Sequence, residues 1–159
     1  ERARDLYGYD NFICDSGGSI CEVVDPWDAE DPILTALSEN LLMIWIAGGA
    51  DHTAELVRRF DLAPKPMCYQ PDFLLACWSD YQSETGVQPD KVSPDDFIRG
   101  TYARAMAHRQ PRYAQMAKWG ITLQANDVQN LKTPQDFEAL VAETLDQNAT
   151  KARSNGSKD

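Results

Sequence analysis

Residues 41–47 constrain the fold more than any other part of the chain, because every side chain in this run is apolar. The run lies between Asn40 and the glycine pair Gly48 and Gly49, and it is too short for a buried helix. A strand with one face in water alternates apolar and polar side chains, whereas a strand covered on both faces needs no polar position. The run therefore predicts a buried strand of a parallel sheet.

Helices are predicted on both sides of this strand from their start and stop signals. Asp31 with Pro32, and Ser93 with Pro94, each combine a capping side chain with a first-turn proline. Pro111 is expected to break the helix that begins at Pro94. The predicted helices span residues 32–39, 52–60, 71 to a stop at Gly86, 94–109, 112–120 and the segment that begins at Thr133 and Pro134.

Short β-rich runs alternate with these helices, at residues 11–15, 20–24 and 121–125. Strands that alternate with helices favour parallel pairing through crossover connections. We therefore expect an α/β fold with a three-layer, mostly parallel sheet flanked by helices. In this prediction residues 1–148 form a single domain, and residues 149–159 form a disordered polar tail.

The charge balance limits the partners of the chain. It carries 25 acidic and 15 basic residues, which gives a formal net charge of −10. A nucleic-acid surface needs basic residues that neutralise phosphates, so we expect no nucleic-acid partner. The apolar runs fall far short of the roughly 20 residues that span a bilayer, and no signal segment opens the sequence. We expect a cytoplasmic protein that does not enter a membrane.

The turn formed by residues 15–19 is the first candidate site, because it follows a predicted strand. Ligands of open α/β sheets usually lie beyond the carboxyl ends of the strands. The backbone N–H groups of Gly17 and Gly18 could approach phosphate oxygens, and Ser19 could donate its hydroxyl group. Asp15 could hold Mg²⁺ directly or through water. The alternative is a tight hairpin between two strands, with Asp15 as a turn former.

A second candidate is the basic segment at residues 97–120, which has a local charge of plus 5 and contains no acid. The planar fork of arginine matches phosphate or carboxylate oxygens in pairs, so this segment is a candidate anion clamp. Successive arginines five residues apart advance about 140° around a helix. They cannot share one face, so some must pair with acids elsewhere. The basic residues are Arg99, Arg104, Arg109, Arg112 and Lys118.

Arg58 and Arg59 close the helix that follows the buried strand. Cations at this end of a helix are stabilised by its dipole, so these arginines need no ligand to explain them. Elsewhere the sequence contains no Gly-x-x-x-x-Gly-Lys-Ser/Thr phosphate loop and no other complete catalytic motif.

Several blocks of the sequence carry a family resemblance: ARDLYGYDNF at residues 3–12, DSGGSICE at 15–22, HTAELVRR at 52–59, APKPM at 63–67, DDF at 95–97 and RQPRY at 109–113. They resemble bacterial proteins described as P-loop ATPases, and the likeness covers nearly all of residues 3–145. In that family a glycine-rich nucleotide loop lies upstream. The resemblance therefore implies the C-terminal part of a kinase-like P-loop NTPase that lacks the Walker A loop, and hence an incomplete P-loop NTPase fold.

The resemblance also implies an activity, that of an ATPase or small-molecule kinase binding ATP, Mg²⁺ and a small-molecule substrate. Residues 41–47 would be a core strand, and the helix ending in Arg58 and Arg59 would be placed like the arginine-bearing lid helix of small kinases. Asp15 would assist Mg²⁺. Substrate or phosphate would lie against Gly17, Gly18 and Ser19. The arginines that would neutralise transferring charge are Arg58, Arg59, Arg109 and Arg112.

The residues leave one alternative of another class open. A noncatalytic binding or regulatory module would share the fold, bind no nucleotide, and present the basic segment or the surface of residues 27–31 to a protein partner. An oligomer is compatible with either reading.

Overall fold

The computed structural model of the chain describes residues 2–9, 12–65, 67 and 69–155. Helices make up most of this part of the chain. In chain order its elements are α1 (Arg2–Tyr7), a 3₁₀ turn (Ser19–Glu22), α2 (Pro32–Asn40), β1 (Ile44–Ala47), α3 (Ala50–Leu62), α4 (Pro71–Thr85), a 3₁₀ turn (Pro89–Lys91), α5 (Pro94–Met116), a 3₁₀ turn (Ala117–Trp119), β2 (Ile121–Gln124), α6 (Ala125–Val128) and α7 (Pro134–Asn155).

The two strands pair in parallel, with Ile44 opposite Ile121 and Ala47 opposite Gln124. Helices α3, α4 and α5 lie between them in sequence, and α3 and α4 both pack against α5. Among the described residues this pair is the whole sheet. The predicted three-layer, mostly parallel α/β sheet, and with it an incomplete P-loop NTPase fold, is therefore wrong for this chain.

The difference from the prediction arises largely in residues 12–24, where two strands were expected. Gly17 and Gly18 both adopt left-handed backbone with φ of 65°, and a 3₁₀ turn follows at Ser19–Glu22. The backbone carbonyls of Cys21 and Val24 accept hydrogen bonds from the side chain of Arg112, at 2.7 Å each. These two carbonyl groups are therefore not available for hydrogen bonds with a neighbouring strand. Asn11, the first residue of the expected strand pair, lies outside the described residues.

Helix α5 also differs from the prediction, because it continues through Pro111 to Met116. Proline removes one backbone N–H group from the helix and usually breaks it. Here Arg109 on one side of the proline and Tyr113 on the other both bind the segment of residues 18–24. These tertiary contacts hold both halves of α5 in one helix.

Several predicted helix ends are confirmed. The Asp31 carboxylate accepts hydrogen bonds from the backbone N–H groups of Ile33 and Leu34, at 3.0 and 2.9 Å, which caps α2. Gly86, with φ of 63°, ends α4. At the other end of the chain α7 continues to Asn155, so residues 149–155 are helical where a disordered tail was expected.

In the described part of the chain, buried apolar residues include two clusters. One joins Cys21, Val24, Leu34 and Met116, and the other joins the helices α3 and α5 through Phe60, Tyr102 and Met106. The chain exposes 11276 Å² of surface. A compact monomer of 17.8 kDa exposes about 8,000 Å². The fold therefore leaves an unusually large surface uncovered.

Candidate functional site

Arg109 and Glu22 form a buried ion pair at the centre of the molecule. The Arg109 Nε donates a hydrogen bond to Glu22 Oε1 at 2.6 Å, and the two side chains are only 3% and 2% exposed. The backbone N–H of Gln70 donates to the other carboxylate oxygen at 3.1 Å. Burial opposes the charge of Arg109, but the hydrogen bond and the attraction of Glu22 outweigh it and raise the pKa of the guanidinium.

Arg112 and Tyr113 bind the same segment one helical turn further along α5. Besides its two hydrogen bonds to backbone carbonyls, the Arg112 guanidinium lies 5.4 Å from the ring centre of Trp27, a cation–π distance. The Tyr113 hydroxyl donates to the carbonyl oxygen of Gly18 at 3.1 Å. Burial, followed by the neighbouring Cys21 thiol, raises the pKa of Tyr113 to about 12. Together α5 and residues 18–24 form one rigid unit.

The basic segment is therefore largely engaged in contacts within the chain. Arg99 pairs with Asp96, and Arg104 pairs with both Asp80 and Glu84. The expectation that some of these arginines pair with acids is confirmed. Arg109 and Arg112, two arginines of the candidate anion clamp, bind a carboxylate and two carbonyl groups of this chain.

Arg58 and Arg59 lie apart from that unit, on the exposed surface of α3. Both donate hydrogen bonds to Glu55, with Nε to carboxylate distances of 2.7 Å. These hydrogen bonds lower the pKa of Glu55 to about 2. The structure thus brings Arg109 and Arg112 together with the segment that contains Gly18 and Ser19, whereas Arg58 and Arg59 form a separate surface cluster.

The turn at residues 15–19 is exposed at its start and fixed by local hydrogen bonds. The backbone N–H of Gly17 donates to Asp15 Oδ1 at 2.8 Å, and the N–H of Ser19 donates to the carbonyl of Gly17 at 2.7 Å. Asp15 is therefore a turn former, as one of the two interpretations required. The expected hairpin is absent, because the described residues on either side of the turn form no strands.

A groove of about 450 Å³ separates this turn from β1, and we call it the edge groove. Its lining includes Asp15, Ser16 and Gly18 from the turn, residues 41–46, and Tyr113. Of the predicted site residues, Asp15 and Gly18 line the edge groove; Gly17 and Ser19 adjoin it within the turn. None of the four predicted arginines is among the described residues that line it.

Asp15 is the predicted Mg²⁺ ligand, and its surroundings test that role. Within residues 2–9, 12–65, 67 and 69–155, no three or more His, Cys, Asp or Glu side chains are placed to hold a metal ion together. Proteins commonly hold Mg²⁺ through one or two carboxylates, with water and substrate phosphates as the remaining ligands. The exposed Asp15 could be one such carboxylate if phosphate oxygens of a substrate supplied further ligands of the Mg²⁺ ion.

Sequence reasoning missed Glu22 of the ion pair and two polar side chains close to it. The Tyr69 hydroxyl and His108 Nε2 are buried without a hydrogen-bond partner in the described part of the chain. The ring of Phe73 lies between them, 5.8 Å from the Tyr69 ring and 4.7 Å from the His108 ring. Glu22 is an isolated acid inside an apolar run. That pattern was the available signal for a buried charge that needs a partner.

No protein-family model, curated protein or solved structure matches the chain. Among the helices that the structure describes, none combines the length and the apolar character needed to cross a lipid bilayer.

Proposed function

We propose that the chain forms one wall of a nucleotide- or phosphate-binding site of an ATPase or small-molecule kinase. The observation that carries this proposal is the edge groove, where a glycine-containing turn with an exposed carboxylate faces an apolar strand. Pockets that bind small molecules combine apolar walls with a few placed polar groups. The 159 residues contain no phosphate loop, so that part of the site has to come from a polypeptide segment outside them.

In this proposal the residues of the turn have separate roles. Asp15 would be one ligand of a Mg²⁺ ion that also binds phosphate oxygens, and the ion would neutralise phosphate charge. Gly18 lines the groove, where its missing side chain makes room for the Tyr113 hydroxyl, and Gly17 and Ser19 shape the turn. Arg109 and Arg112 are positioning residues, because they hold residues 21–24 and are not among the described residues that line the groove.

The test is isothermal titration of Mg-ATP into the product of the complete gene, followed by an assay of phosphate release. Asp15→Asn should weaken binding at least tenfold in the presence of Mg²⁺. Asp28→Asn is a matched control, because Asp28 is exposed and accepts the N–H of Glu30 at 2.9 Å in the same type of turn. If Asp15→Asn binds Mg-ATP as tightly as the wild type, Asp15 does not have the assigned role. If the wild type gives no binding heat, the proposal is rejected.

A second candidate is the noncatalytic binding or regulatory module. Two observations favour it: Arg109 and Arg112 form hydrogen bonds within the chain, and neither is among the described residues that line the groove. This candidate predicts that the complete gene product binds a protein partner, takes up no Mg-ATP and releases no phosphate. The same titration therefore separates the two functions.

A further inference from the structure

The outer edge of β1 is open in the described part of the chain. The strand pairs with β2 alone, and the carbonyl of Met43, just before β1, accepts the N–H of Ile121 at 2.9 Å. Backbone groups of successive residues in a strand point alternately to its two edges. The N–H and C=O groups of Ile44 and Ile46 therefore point away from β2, toward the open edge.

The edge groove runs along this open edge. Its lining includes Ile44, Trp45 and Ile46, which are consecutive residues of β1, although side chains of adjacent residues in a strand point to opposite faces. A cavity on one face of the strand would contact only every second residue. The groove therefore has the position of a missing neighbouring strand.

Exposed apolar side chains at the open edge of β1 indicate that another polypeptide segment covers it. Leu41, Leu42 and Ile46 are 37%, 46% and 49% exposed, although parallel sheets are normally covered on both faces. Soluble proteins usually protect an open edge with charged side chains, proline or a bulge. Among the described residues that line the groove, Asp15 alone is charged.

Charge indicates what covers it. A second copy would bring another net charge of −10 and a second Asp15 to the same contact. A segment with a basic side chain near Asp15 would instead complement the charge of the groove.

We infer that the open edge of β1 binds an extended apolar polypeptide segment of a partner, which adds a strand to the sheet and places a Lys or Arg against Asp15. Its backbone would pair with the free N–H and C=O groups of Ile44 and Ile46, as in other cases of β-strand addition. The segment and a nucleotide would compete for the groove and for Asp15, so the binding is tested without nucleotide.

The test uses two synthetic peptides with acetylated N-termini and alternating valine and threonine residues. One begins with two lysines, and the other begins with two glutamates. The lysine peptide should slow hydrogen exchange at the amides of Ile44 and Ile46 by at least tenfold, without nucleotide present. It should bind at least tenfold more tightly than the glutamate peptide, and Asp15→Lys should reverse that preference. Asp28→Lys, outside the groove, should leave it unchanged.

Two variants test the backbone pairing itself. Ile46→Pro removes an N–H group that points to the open edge, and it should abolish protection at Ile44 by the peptide. Leu42→Lys places a charge in the groove wall and should weaken binding without altering β1 pairing with β2, which makes it the second test if the proline variant does not fold. Equal peptide binding by wild type and Leu42→Lys would overturn the inference.

Light scattering on the chain alone tests whether a second copy of the chain occupies the open edge of β1. The inference predicts a monomer whose Ile44 and Ile46 amides exchange rapidly until the peptide is added. A dimer with these amides already protected would assign the edge to a second copy and would overturn the proposed partner.

Discussion

Arg109 and Glu22 are separated by 87 positions in the sequence, yet the Arg109 Nε and Glu22 Oε1 lie 2.6 Å apart with both side chains buried. This ion pair joins α5 to the segment that carries the glycine turn. Because the same turn lines the edge groove, the shape of the candidate site depends on an ion pair whose two residues are not among the described residues that line the groove.

Removing one partner of this pair should destabilise the fold strongly. Arg109→Met or Glu22→Gln leaves a buried polar or charged group without its partner, at a cost of about 3–5 kcal/mol. Urea unfolding measures the change. The exposed pairs of Arg104 provide the control, and Arg104→Met should lower the free energy of unfolding far less. Similar losses for the two arginine variants would contradict the importance of the buried pair.

Gly18 and Gly17 form a matched pair of sites. Both have φ of 65°, so an alanine at either position costs about 1–2 kcal/mol through its backbone alone. A Cβ on Gly18 would also lie 2.8 Å from the Tyr113 hydroxyl, whereas one on Gly17 would meet nothing within 4 Å. Gly18→Ala should therefore cost more than Gly17→Ala in thermal or urea unfolding. The difference should shrink in a Tyr113→Phe background, and its persistence would refute this cause.

Gly120→Ala should destabilise the strand pair for a different reason. The backbone of Gly120 is extended, with φ of −161°, but its Cβ would collide with the carbonyl group of Met43. Gly100, in contrast, lies exposed within α5, and a Cβ there meets nothing within 4 Å. Gly100→Ala should stabilise the protein by about 0.5–1 kcal/mol. Melting temperatures that shift in the same direction for both variants would contradict the predicted collision.

Stability should decline at high pH through Tyr113. Its folded-state pKa of about 12 lies above the ordinary value of 10.0, so the fold favours the protonated hydroxyl. The associated stability is complete below pH 10 and is lost as the pH rises toward 12. Tyr113→Phe should flatten the pH dependence of urea unfolding over that interval. An NMR titration that finds Tyr113 ionising near pH 10 would disprove the expected shift.

Glu55 should show the opposite dependence at low pH. Its hydrogen bonds with Arg58 and Arg59 lower its pKa from 4.5 to about 2, so the folded state favours the carboxylate. The associated stability is present above pH 4.5 and is lost as the pH falls toward 2. Carboxyl ¹³C NMR should record the low pKa and an upward shift in Arg58→Ala and in Arg59→Ala. An unchanged pKa in both variants would show that the arginines are not its cause.

Helix ends were determined by short sequence signals. The aspartate and proline at the start of α2, the serine and proline at the start of α5, and the glycine that ends α4 act on backbone groups within a few residues. A parallel strand within residues 41–47 was also predictable from the uniform apolar run. The strand covers only Ile44–Ala47, and Ile46 is 49% exposed, so the prediction of a strand buried on both faces is wrong. The helix ends and the strand follow from local hydrogen bonding and side-chain polarity, which the sequence contains directly.

The tertiary structure decided the rest. Residues 20–24 have the composition of a strand, yet Arg112 binds the backbone carbonyls of Cys21 and Val24, and Ser19–Glu22 forms a 3₁₀ turn. Pro111 should have broken α5, but contacts on both sides of it keep the helix continuous. The sequence makes Arg109 a candidate anion ligand, and the fold places the Glu22 carboxylate beside it. In each case the partner lies far away in sequence, and the burial of a charge or carbonyl group favours whichever pairing the fold brings within hydrogen-bonding distance.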